Sequence, residues 1–130
     1  MKTIRIYCKK CKEQLTQNLV EIDSKHLRFE DGVKAIGSGK FSICKDEICN
    51  TKGLIAALEN YELKNHKDLR RFTGCCGSSG SDGMNKTCKN GHEVATEVSD
   101  CWTAHYINFN LNNIIIKQVI DDYNLRIINF

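Results

Sequence analysis

The chain has 130 residues, room for one domain and too few for two ordinary ones. Apolar residues make up 41% and charged residues 27%, which allows only a modest core of the kind that leans on a cross-link or a metal. The formal net charge of +3 falls short of a strongly basic nucleic-acid binder, and no run approaches the ~20 apolar residues of a membrane span.

In chain order, Thr3 to Tyr7 alternates and reads as a short strand that runs into Cys8-Lys9-Lys10-Cys11. Leu15 to Ile22 and His26 to Phe29 read as two further strands, with turns at Glu30-Asp31-Gly32 and Gly37-Ser38-Gly39 and another strand at Lys40 to Cys44. Between Lys52 and Leu63, the residues Leu54, Ile55, Leu58 and Tyr61 recur at helical spacing, so a helix is expected there, capped by Asn50 or Thr51. Gly74 to Gly83 is too rich in glycine and serine for a regular element and reads as a loop. Asn90-Gly91 marks a tight turn, followed by alternating strands at His92 to Glu97 and Tyr106 to Leu111. Ile114 to Ile120 and Leu125 to Phe130 read as a hairpin, with a helix over 114–123 as the alternative. The expected class is α+β: predominantly antiparallel β with one central helix and zinc-ribbon-like knuckles, in a single zinc-stabilised domain over 1–130.

Nothing near Met1 has the apolar run of a signal peptide, so a cytoplasmic location is expected, where thiols stay reduced. Eight cysteines then read as metal ligands rather than disulfides. In Cys8-x-x-Cys11, two intervening residues let both sulfurs turn inward on one knuckle, and Lys9 and Lys10 favour the thiolates. Zinc needs two more ligands. Cys88, just before the Asn90-Gly91 turn, is the first choice, and Cys76, beside Gly77, is the next. Cys75 and Cys101 form a second tier, with His92 and His105 behind them. Cys101 is otherwise a buried thiol packed on Trp102, or the nucleophile of a Cys–His pair with His105 or His92. Cys44 and Cys49 are incidental thiols or a second metal half-site. Gly37-Ser38-Gly39-Lys40-Phe41 lacks the upstream glycine and the following Ser/Thr of a phosphate loop.

The string Gly74-Cys75-Cys76-Gly77, Gly80-Ser81-Asp82-Gly83-Met84-Asn85, Cys88, Gly91-His92-Glu93-Val94-Ala95-Thr96-Glu97, Ser99-Asp100-Cys101-Trp102-Thr103 and His105 resembles a group of small uncharacterised bacterial proteins. In that group an N-terminal CxxC precedes a GCCG segment and a DCW motif. The resemblance covers the N-terminal knuckle and residues 74–105, and this chain has Met84 and Ala104 where proline is expected. It implies that Cys8, Cys11, Cys75, Cys76, Cys88 and Cys101 belong to one constellation.

With no HExxH, GxSxG or paired carboxylates in the sequence, the leading expectation is a zinc-binding module that recognises a protein partner, as an immunity protein neutralising a toxin or as an adaptor. A nucleic-acid-binding zinc ribbon is the alternative, using Lys9, Lys10, Lys12 and the stretch Lys64, Lys67, Arg70 and Arg71, with weak, salt-sensitive binding expected. A thiol enzyme using Cys101 is the third.

Overall fold

Alternation in the first strand sets the inner face of the molecule. In β1 (Thr3–Cys8), Ile4, Ile6 and Cys8 share one face, and all three are fully buried. The computed structural model describes residues 2–44, 53–59 and 61–130. β1 is followed by β2 (Leu19–Glu21), β3 (Lys40–Cys44), β4 (Gly53–Ala56), β5 (Lys64–Asn65), β6 (Lys86–Thr87), β7 (Glu93–Val98), β8 (Tyr106–Phe109), β9 (Ile114–Val119) and β10 (Leu125–Ile128).

Among the described residues these ten strands form one sheet, in the order β10-β9-β1-β2-β3-β4-β8-β7-β6-β5. β2 and β3 run parallel, and every other neighbouring pair is antiparallel. The N-terminal strand is therefore interior: β1 pairs with β2 on one side and along Ile4–Cys8 with β9 on the other. The β9–β10 turn is tied by Asp121, whose carboxylate accepts from the backbone N–H of Tyr123 and Asn124 and from the Asn124 amide. The segment 114–128 is thus a hairpin, and the helical alternative for 114–123 is not what forms.

One main core gathers Ile4, Ile6, Leu15, Leu19, Phe41, Leu54, Val94, Ile107, Phe109 and Ile116 from seven strands and the loop before β2. Among the described residues no α-helix covers this face, so the sheet buries it by curling over itself. Aromatic edges close the ends, Tyr61 against Phe109 at 5.9 Å and Phe130 against Phe41 at 6.0 Å between ring centroids. A smaller core of Ile36, Cys44, Ile55 and Ala57 sits on the opposite face of β4.

The expected α+β class with a central helix is overturned: the chain is nearly all β, and its only described helical pieces are 3-10 turns at Ser24–His26 and Leu69–Phe72. Gly53–Ala56, inside the expected helix, is a strand. Leu54 and Ala56 face the main core while Ile55 and Ala57 face the smaller one, so β4 is apolar on both sides. An unbroken apolar run carries no periodicity that separates a doubly buried strand from a helix. The proposed caps Asn50 and Thr51 lie outside the described residues. His26 to Phe29 forms no strand; it begins in a 3-10 turn capped by the Asp23 carboxylate. No described helix is long and apolar enough to cross a membrane.

Candidate metal centre

Two turns converge at one end of the sheet. The first follows β1. Its start is set by Cys8 N–H donating to the Glu13 carbonyl at 2.8 Å and Lys12 N–H donating back to the Cys8 carbonyl at 2.9 Å. The second joins β6 to β7. Cys88 N–H donates to the His92 carbonyl at 2.9 Å, and Gly91 N–H donates to the Cys88 carbonyl at 3.0 Å. Gly91 stands at φ 83°, a backbone conformation that glycine adopts without steric cost. This reversal carries His92 back beside Cys88.

Cys8, Cys11, Cys88 and His92 thereby present three sulfurs and one ring nitrogen, all within 4.8 Å of one another. Cys11 Sγ is 3.7 Å from Cys88 Sγ, and His92 Nδ1 is 3.3 Å from Cys88 Sγ and 3.7 Å from Cys8 Sγ. These lengths can be set against a tetrahedron. Metal–sulfur bonds of about 2.3 Å and metal–nitrogen bonds of about 2.05 Å give sulfur–sulfur edges near ~3.8 Å and sulfur–nitrogen edges near ~3.6 Å. These three separations fall within about 0.3 Å of those edges, so the residues fit a four-coordinate metal ion. Cys8 and Cys88 are buried, while Cys11 and His92 are partly exposed.

The electrostatics are divided among the thiols. Burial raises the Cys8 thiol, outweighing the N–H groups of Cys11 and Lys10 that favour its anion. Burial also pushes Cys11 up, but hydrogen bonds from the Asn90 side chain, the Glu13 backbone and His92 outweigh it and bring Cys11 to about 6. A thiolate is therefore present at neutral pH, facing further sulfurs in a largely enclosed site. That combination suits a cation.

Of the sequence-predicted ligands, the structure brings Cys8, Cys11 and Cys88 together and leaves Cys76 elsewhere. Cys76 is disulfide-bonded to Cys101, with Cys75 free and exposed beside them. The single constellation implied by the resemblance is thus two clusters, at opposite ends of β7: His92 precedes this strand and Ser99 follows it. The fourth member of the first cluster is His92. The signal for it was the Asn90-Gly91 turn, which reverses the chain and so returns residue 92 to residue 88. Cys101 is exposed rather than a buried thiol packed on Trp102, and Trp102 is itself 71% exposed. Cys101 is joined to Cys76, His105 Nε2 lies 3.1 Å from the Asp100 carbonyl, and His92 belongs to the other cluster. Cys44 is disulfide-bonded, so the expectation of uniformly reduced thiols fails there and at Cys76–Cys101. Cys49 lies outside the described residues.

Of the basic groups singled out in the sequence, Arg70 pairs with Asp68 at 3.0 Å and Arg71 with Glu93 at 3.1 Å. No family model, curated protein or solved structure matches the chain.

Proposed function

We propose that the protein is a zinc-braced recognition module in which Cys8, Cys11, Cys88 and His92 hold one zinc ion and a separate surface docks a protein partner. The observation that carries the reading is the four-ligand arrangement, with its tetrahedral edge lengths and two turns approaching from distant parts of the chain. Three soft thiolates and one imidazole suit zinc, which takes four such ligands in closed structural sites. With all four positions filled by protein, the ion ties β1 to the β6–β7 turn and leaves no position for substrate.

Recognition is supported by the β9–β10 hairpin. Tyr123 is 94% exposed and Ile127 62%, with Ile120 and Leu125 also open to solvent, and β10 is an edge strand of the sheet. An apolar surface beside unpaired backbone groups suits an added strand or apolar side chains of another protein. Tyr106 and Phe130 contribute less to it, since they pack on Phe29 and Phe41. Arg70 and Arg71 are engaged by acids, which counts against a nucleic-acid surface there, and any binding to DNA or RNA is expected to fade as salt rises.

Elemental analysis of purified protein tests the metal half. About one zinc per chain is expected, lost in Cys88→Ser and His92→Ala and retained in Cys75→Ser. No metal in unoxidised protein, or equal loss in all three variants, rejects it. A photo-crosslinking residue at position 123 tests the recognition half in the native cell, against the same residue at Lys25. Adducts at both positions or neither would remove the docking assignment.

A further inference from the structure

The second cysteine cluster is built around one carboxylate. Asp100 accepts from the backbone N–H of Cys101 at 2.8 Å, Cys76 at 3.0 Å and Cys75 at 3.4 Å. The 74–78 loop is further fastened to the end of β7. Ser78 N–H donates to Ser99 Oγ at 3.2 Å, and Ser99 N–H donates to the Ser78 carbonyl at 2.9 Å. Gly77 is required by this approach, because a Cβ there would collide with the Ser99 carbonyl oxygen. These contacts hold the three cysteines through backbone groups rather than through a bond between sulfurs.

Three sulfurs lie within 4.8 Å of one another, and all three residues are exposed. Cys76 and Cys101 are joined, with Cα atoms 5.8 Å apart, while Cys75 keeps a free thiol. A structural disulfide needs no third thiol at its side. Thiol–disulfide exchange needs a thiol that can reach a disulfide sulfur and solvent access for the exchanging partner, and Cys75 offers both.

We propose that Cys75, Cys76 and Cys101 form a thiol–disulfide exchange site whose substrate is a free thiol. In the internal step the Cys75 thiolate attacks Cys101 Sγ. A Cys75–Cys101 bond forms, the Cys76–Cys101 bond breaks, and Cys76 leaves as the thiolate, with no net change in oxidation. In the external reaction a substrate thiolate attacks the disulfide and forms a mixed disulfide with Cys101. A second substrate thiol then attacks that bond. The substrate leaves as its own disulfide, two electrons pass to the protein, and two protein sulfurs take up the two protons. Cys75 competes with the second thiol by attacking the mixed disulfide at Cys101, which expels the first substrate thiol and forms Cys75–Cys101. The site lies outside the metal centre and does not depend on it.

The test uses the full-length protein with its disulfide intact. Reduced glutathione is added in one arm and a short cysteine-containing peptide in the other. Samples are quenched in acid, alkylated, and their connectivity is read by tandem mass spectrometry. Both Cys76–Cys101 and Cys75–Cys101 should appear in the unaltered protein, and Cys76→Ser should form Cys75–Cys101 instead. With both Cys75 and Cys76 replaced by serine, a mixed disulfide formed on Cys101 with oxidised glutathione should release glutathione about tenfold or more slowly than in Cys76→Ser at low glutathione, since a neighbouring thiol acts at far higher effective concentration than a free one. Exchange with glutathione alone identifies a small thiol as substrate, and faster exchange with the peptide identifies a protein thiol. A single connectivity with Cys75 fully alkylated overturns the proposal. So do free Cys75 and Cys101 in Cys76→Ser, and so does uptake of a second metal ion with no disulfide at this cluster.

Discussion

Removing the metal should weaken the protein without erasing its sheet. The ion would close a loop between Cys11 and Cys88, which are 77 residues apart. Treated as a cross-link on the unfolded chain, a loop of that length contributes about 4.5 kcal/mol. For a chain of this size about 1 kcal/mol corresponds to roughly 4 °C in melting temperature, so stripping the metal should lower Tm by about 15–20 °C. The sheet should nevertheless persist at room temperature. β1 remains paired with β9 along Ile4–Cys8, and Ile4, Ile6, Phe41, Leu54 and Phe109 form a core that does not involve the ion. The assay is thermal melting by circular dichroism, with and without a strong zinc chelator, alongside Cys8→Ser. That variant should melt near the chelated protein and show no further response to chelator. An unchanged Tm in protein shown to be metal-free would falsify the bracing role. Complete loss of β-structure at 20 °C would refute the claim that the core stands without the ion.

Three further outcomes follow from the packing and the charges. Phe109→Ala removes a fully buried ring from the main core and from its contact with Tyr61, and should cost about 3–5 kcal/mol in denaturant unfolding; a loss below 1 kcal/mol would mean the ring is poorly packed. Gly77→Ala forces a methyl group against the Ser99 carbonyl and should destabilise by about 1–3 kcal/mol while leaving metal content unchanged, as checked by melting and elemental analysis together. The backbone N–H of Cys76, with those of Cys75 and Cys101, holds the Asp100 carboxyl below its ordinary value of 3.8. This stabilisation is full above that ordinary value and is lost as pH falls through the lower folded value. Asp100→Asn should flatten the acid limb of stability measured from pH 6 to 2, and an unchanged limb would contradict the role given to this carboxylate.

The strands with one wet face were readable in advance. β1, β7, β8 and the β9–β10 hairpin all lie where alternation or turn residues placed a strand, because burial on one side writes a period of two into the sequence. β4 was not readable, since both of its faces are covered and Leu54 to Ala57 carries no alternation. The CxxC knuckle is a local device and stood out. The division of the remaining cysteines is set by groups far away in sequence. Asp100 collects the loop at 75–76, and buried Asn85 clasps Glu97 through both backbone groups, accepting from its N–H at 2.6 Å and donating to its carbonyl at 3.0 Å. No spacing rule reaches across such contacts, and so a single constellation was expected where two are built.

The interior position of β1 bears on how the chain acquires its fold during synthesis. At about 5–20 residues per second, the N-terminal strand waits several seconds on the ribosome before residues 114–119 exist to cover its second edge. Throughout that interval the backbone of Thr3–Cys8 offers a templating edge to other chains, and Ile4 and Ile6 lack part of their cover. Cys88 and His92 emerge before β9, so a metal ion could clamp the nascent N-terminus to the β6–β7 turn while β1 is still half paired. On the proposed reading, zinc supply at that stage governs the yield of native protein as well as its final stability, and starvation for zinc should appear first as aggregates of newly made chains.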